Sequence, residues 1–253
     1  MTKKELKAFL DEKVVQYNRT DFIANDPIQI PHLYHRKEDI EISAFLTATI
    51  AWGNRKAIIQ SAQSLMQSMG ESPYEFIVNA TEDDLKVLSV FYYRTFQSAD
   101  CFQYLKALQK VYQNDGGLAS IFRSETTKRI WDHIQNARDQ FFNYIDLDRT
   151  NKHFANPSKG ASCKRINMFL RWMVRKDAQG VDFGIWNHIS PSQLSLPLDI
   201  HTGNVGRSLG LLKRKANDQK AVIEIDSGLR KMDPEDPVKY DFALFSVGVN
   251  KEL

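Results

Sequence analysis

The chain has 253 residues, a formal net charge of +3, 42% hydrophobic residues and 26% charged ones. Those fractions are ordinary for a folded globular protein and exclude a disordered, collagen-like or disulfide-built chain. The length suits one large domain or two small ones, and two cysteines, Cys101 and Cys163, exclude a cysteine-ligated iron–sulfur or zinc centre and fit a reducing compartment.

In chain order the sequence reads as helices. The opening MTKKELKAFLDEK interleaves charge with Leu6, Phe9 and Leu10, an amphipathic helix rather than a signal peptide. Apolar positions between Glu38 and Gly70 predict two helices joined at Trp52-Gly53-Asn54, since Gly and Asn break helices and favour turns. Ser72-Pro73 opens a further helix, and Thr81, followed by Glu82, Asp83 and Asp84, caps the next. Helical spacing returns over Asp100 to Gln113, ended by Gly116-Gly117, and over Thr127 to Tyr144. Asn156 to Gly160 is turn chemistry, and Cys163 to Val174 is a helix. Lys176 to Leu198 predicts an ordered loop or short hairpin. Helices over Asp199 to Leu209, Asn217 to Met232 and Tyr240 to Val249 complete an all-α chain. No uncharged apolar run approaches the ~18 residues of a membrane span.

The charge is unevenly distributed. No acid lies between Asp148 and Asp177, a stretch holding Arg149, Lys152, Lys159, Lys164, Arg165, Arg171, Arg175 and Lys176. None lies between Asp199 and Asp218, where Arg207, Lys213, Arg214 and Lys215 stand. Concentrated basic surface marks a phosphate-rich partner, and a solvated helix face is the alternative.

Two motifs carry candidate chemistry. The turn Gly160-Ala161-Ser162-Cys163-Lys164-Arg165 feeds a helix whose N-terminal amides and dipole suit phosphate, although a plain interhelical turn has the same signature. Leu198-Asp199-Ile200-His201-Thr202-Gly203-Asn204-Val205-Gly206-Arg207 places Asp199 as an N-cap. Gly203 and Gly206 leave one face of that helix bare for another backbone or a phosphate chain. No metal site is expected, because His32 and His35 lack a nearby third ligand and His201 lacks a partner at helical spacing.

Together these motifs resemble the helix-hairpin-helix (HhH-GPD) DNA glycosylase superfamily, in pattern nearest the archaeal GO-type 8-oxoguanine glycosylases, which lack the iron–sulfur cluster. The chain also looks like an uncharacterised bacterial domain-of-unknown-function family. Gly160-Ala-Ser162-Cys-Lys164 occupies the hairpin position and Leu198-Asp199-Ile-His201 the second motif, with Ser162 where a hairpin glycine usually stands. Ala48 to Arg55 is similar to the turn those enzymes push into the DNA stack, and Asp241 to Gly248 to their closing helix. The Lys-to-Asp separation is 35 positions.

The resemblance implies two helical lobes around a DNA-binding cleft, 38–188 and 1–37 plus 189–253. It implies a monomeric, cytoplasmic, nucleoid-associated enzyme of base-excision repair that needs no cofactor. The expected substrate is double-stranded DNA carrying an oxidised purine, 8-oxoguanine above all. Lys164 would be the nucleophile and Asp199 its partner. A lysine amine free in water is almost wholly protonated at neutral pH, so the site would require burial and a cationic neighbour, Arg165 being adjacent. Asp241, Phe245 and Trp52 would form the base pocket. Asn54 or Arg55 would fill the gap left in the duplex, and Lys159, Gly160, Ser162, Arg165, His201 and Arg207 would hold DNA. The opposing expectation is a non-catalytic helical module that binds DNA or RNA.

Overall fold

The computed structural model describes residues 1–88, 90–124 and 129–253. Among these the chain is all-α, and the one β pairing is an isolated bridge between Tyr93 and Phe96. The helices are α1 (Lys3–Tyr17), α2 (Lys37–Ile50), α3 (Arg55–Ser68), α4 (Pro73–Asn79), α5 (Glu82–Leu88) and α6 (Ser98–Asn114). They continue with α7 (Leu118–Ile121), α8 (Ile130–Phe142), α9 (Lys164–Val174), α10 (Ile200–Ser208), α11 (Gln219–Met232) and α12 (Tyr240–Asn250). No helix among the described residues is long and apolar enough to cross a membrane.

The chain divides into two units, residues 25–155 and residues 1–24 with 156–253. Both boundaries differ from the 37/38 and 188/189 expected above. Residues 25–33 form 3-10 turns whose Ile28 and Ile30 are buried and which pack on α2, so they belong with it. At the other boundary, α9 joins the later unit because its Arg171 pairs with Asp182 and with Asp241 of α12.

In the unit spanning 25–155, α2 is buried almost throughout, and Phe45 on it meets Tyr104, Phe141 and Phe154. Its acids are sequestered too. Asp39 accepts hydrogen bonds from Ser72 Oγ and Tyr74 N, both at 2.8 Å, and Glu41 accepts one from Tyr112 Oη at 2.8 Å. The α2–α3 junction falls at the expected tripeptide, with Gly53 at φ +97° and Asn54 capping α3. The expected start of α8 at Thr127 lies outside the described residues.

In the other unit, α12 is the central element, packed against α1 and α10. Gly248 permits the latter contact, because a Cβ there would lie 3.0 Å from His201 Cβ and 3.1 Å from its carbonyl oxygen. Lys176 to Leu198 is loop with one 3-10 turn, Pro191–Gln193, and no hairpin. Its start is pinned to α9 by Phe183 N to Trp172 O and Trp186 N to Met173 O, at 2.8 and 2.9 Å.

Candidate active site

Lys164 opens α9 after a turn of unusual backbone. Asn156 Oδ1 accepts from Ser158 N at 2.9 Å, and Gly160 is left-handed at φ +75°. A Cβ on Gly160 would meet nothing within 4 Å, so conformation rather than crowding favours glycine there. Cys163 is also left-handed at φ +50°, a region that side chains seldom enter. Asn167 Nδ2 braces the turn by donating to Ser162 O at 3.0 Å, and no side-chain cap closes the first turn of α9. The segment before this turn is 3-10, over Asp148–His153 and Pro157–Lys159, where the expected hairpin has a helix.

Lys164, Met168, Arg171 and Arg175 stand at i, i+4, i+7 and i+11, which is one face of α9. Lys164 Nζ lies 3.8 Å from Met168 Sδ. Arg171 is buried, ion-paired with Asp182 at 3.2 Å and with Asp241, and its guanidinium lies 4.4 Å from the Phe242 ring centroid. Arg175 pairs with Asp177, Asp182 and Asp236 at 2.6, 3.1 and 2.9 Å. Such pairing is what makes buried charge tolerable.

Asp199 is the N-cap of α10. Its Oδ1 accepts from Thr202 N at 2.9 Å, and its backbone oxygen accepts from Asn217 Nδ2 at 3.0 Å. The chain leading into it is held by α11. Asp226, whose carboxyl burial pushes up, accepts from Leu196 N at 3.0 Å and from the Ser195 hydroxyl. Arg230 donates to the carbonyls of Ser192 and Leu194.

Asp241 joins these pieces. Burial pushes its carboxyl up to about 6; Arg171 pulls it down, Asp199 adds to the rise, and Lys164 opposes it. The Lys164 amine and the Asp199 carboxylate therefore both lie within electrostatic reach of one buried acid. The electrostatics of Asp241 on α12 thus involve Lys164 of α9 and Asp199 at the α10 cap.

The other expected site residues fall elsewhere. Phe245 is half-buried one turn beyond Asp241, edge-on to the exposed His201 at 6.3 Å and to Phe22 at 6.5 Å. Arg207 is committed to its own chain, donating to the carbonyls of Arg214 and Lys215 and to Asn217 Oδ1 at 2.9, 2.8 and 2.6 Å. The face left bare by Gly203 and Gly206 is covered from within. Cβ atoms there would meet Arg207 Nη1 and Asn217 Oδ1 at 2.9 Å, and Ile225 Cδ1 at 2.8 Å. Lys159 is exposed, and Gly160, Ser162 and Arg165 are half-buried. Adjacent helical residues point about 100° apart, so Arg171 rather than Arg165 is the cation sharing a face with Lys164.

Trp52, Asn54 and Arg55 belong to the unit spanning 25–155. Trp52 stacks on His153 at 6.0 Å and receives a 2.9 Å hydrogen bond at its carbonyl from Tyr93 Oη. Asn54 Oδ1 accepts from Ala57 N at 3.1 Å, and Arg55 begins α3.

The acid-free stretches are also less basic in space than in sequence. Arg171 and Arg175 are buried among aspartates, Arg149 pairs with Asp100 at 3.0 Å, and Arg214 pairs with Asp218. Sequence reasoning missed Arg171 and Asp182 behind the site. A signal for them existed in the i, i+4, i+7, i+11 stripe, where two arginines occupy a face that a buried helix would fill with apolar residues.

Among the described residues the fold is all-helical and in two units, one of which carries Lys164, Asp199 and the buried Asp241. The chain belongs to the family described as protein of unknown function (DUF2400), whose model matches residues 26–250. We found no match to the chain among curated proteins or among solved structures.

Proposed function

We propose that the chain is a base-excision-repair DNA glycosylase with AP lyase activity, a member of the helix-hairpin-helix superfamily that removes an oxidised purine, 8-oxoguanine first among candidates. One observation carries the reading: Asp241 senses both the Lys164 amine and the Asp199 carboxylate, residues far apart in sequence. In the reaction the Lys164 amine attacks C1′ of a flipped nucleotide as the bond to the base breaks. The base leaves with the electron pair and takes up a proton. Loss of the amine proton and opening of the sugar give a Schiff base. Abstraction of a C2′ proton then expels the 3′ phosphate and cuts the strand. Asp199 stabilises positive charge on the sugar and moves protons. Asp241, with its acid-side transition at about 6, is an acceptor facing the base above that pH. The amides opening α9 and the Gly160 turn hold a phosphate.

The N-cap bond of Asp199 gives that residue a structural duty and favours a second reading, a non-catalytic helical module that binds DNA or RNA. Borohydride trapping separates the two. The wild-type chain, mixed with an 8-oxoguanine duplex and reductant, is expected to give a covalent adduct through a secondary amine. Lys164→Ala is expected to give none. Absence of an adduct with 8-oxoguanine, other oxidised purines and abasic sites alike would overturn the enzymatic reading.

A further inference from the structure

Arg207 would contact phosphates in the resemblance, yet its guanidinium is spent on the loop that follows α10. Its Nε donates to Arg214 O, and its Nη2 donates to both Lys215 O and Asn217 Oδ1. Gly203 leaves the space in which that guanidinium and the Asn217 amide lie. The loop is fixed from its other side by Glu224, whose two oxygens accept from Lys213 N and Arg214 N at 2.7 and 3.3 Å. Arg214 turns back onto Asp218, the cap of α11. Both nearby acids are thus engaged with loop backbone, the α11 cap or Arg214. The loop's inner edge is tied to the two motifs of the site, through Asn217 Nδ2 to Asp199 O and through Gln219 N to Gly160 O, each at 3.0 Å.

The outward groups are cationic. Lys213, Lys215 and Lys220 are exposed, and none makes an ion pair among the described residues. Lys159, next in sequence to the Gly160 whose carbonyl accepts from Gln219 N, is exposed as well. A loop braced at both ends loses little freedom when it meets a partner, and lysines with no acid to satisfy suit an extended anion.

The geometry points to residues 213–220 as a contact surface for the phosphate backbone of duplex DNA. Lys213, Lys215 and Lys220 touch phosphates, and Arg207 acts as the brace that shapes the loop. The identity of the polyanion rests on the reading of the chain as a DNA-acting enzyme; the surface itself rests on the hydrogen bonds above.

Fluorescence anisotropy with a labelled undamaged duplex, over a series of salt concentrations, tests it. Each lost phosphate contact lowers the slope of log affinity against log salt by about 0.9. Lys213→Gln/Lys215→Gln/Lys220→Gln is therefore expected to lower the slope by about 2 to 3. Arg207→Gln keeps the lysines and is expected to weaken binding while leaving the slope in place. Lys3→Gln/Lys4→Gln, exposed lysines of α1, serve as the charge control and are expected to leave it unchanged. A triple variant with the wild-type slope, a control that falls as far, or a wild-type chain that binds single-stranded RNA and no duplex DNA overturns the assignment. Borohydride trapping on the same proteins keeps the two readings apart. Duplex binding through this loop without trapping leaves the surface and removes the enzyme, whereas trapping with an unaltered slope does the reverse.

Discussion

Asp241 offers the most direct test of the site's electrostatics. Its carboxyl is raised from 3.8 to about 6, mainly by burial. An acid raised on folding binds its proton more tightly in the native state, so its contribution is complete below pH 4 and is lost as pH rises through 6. A shift of roughly two units corresponds to about 3 kcal/mol. Asparagine imitates the protonated carboxyl in shape and cannot ionise. The Asp241→Asn chain should thus match the wild type most closely at or below pH 4 and gain on it by about 2 kcal/mol between pH 4 and pH 7. The assay is urea unfolding at a series of pH values. Trp172 and Trp186 report by fluorescence in a background where Trp52 and Trp131 are phenylalanine, so that only the unit holding the site is read. A difference between the two chains that stays flat across that range would refute both the burial of Asp241 and the raised carboxyl argued from it.

Two further outcomes follow from packing. Gly203→Ala adds a methyl 2.9 Å from Arg207 Nη1 and Asn217 Oδ1. Alanine in an open helix would stabilise by ~1 kcal/mol, but here overpacking should destabilise by about 1–3 kcal/mol; a rise in melting temperature would contradict the brace. Cys101 is fully buried, with its thiol pushed up to about 12. It should resist iodoacetamide at pH 8 in the folded chain and react once urea is added, as mass spectrometry of the peptide would show.

Most helices were legible because their signals are local. Ser72, Asp199 and the Trp52-Gly53-Asn54 junction act within one turn of themselves, and each falls where a capping or breaking residue predicts. Local signals failed where tertiary contact decides the structure. The 3-10 turns over 20–33 have no periodicity to detect, and α11 begins at Gln219, capped by Asp218, rather than at Asn217. Asn217 also has cap-forming chemistry, but its amide is drawn away to Asp199 and Arg207. The boundary between the units was illegible for the same reason. Nothing in the composition near Ala24 or Ala155 reports that Ile28 packs beneath α2 or that Arg171 reaches Asp241.

The charge pattern shows how a one-dimensional reading goes astray and what it still carries. A stretch without acids measures only sequence neighbours, whereas ion pairs form across tens of residues. Arg171 finds Asp241 70 positions away, and Arg175 finds Asp236 61 positions away. Desolvation explains which cations remain outside. An arginine can be buried where carboxylates match its fork, and the aspartates of 177–241 supply that match for Arg171 and Arg175. A lysine is a compact, strongly hydrated charge that stays in water unless paired, so Lys159, Lys213, Lys215 and Lys220 remain exposed. Lys164 lies between these cases, half-buried, on the same helix face as a buried arginine and within electrostatic reach of the buried Asp241. That intermediate position distinguishes it from the exposed lysines more sharply than any sequence motif around it.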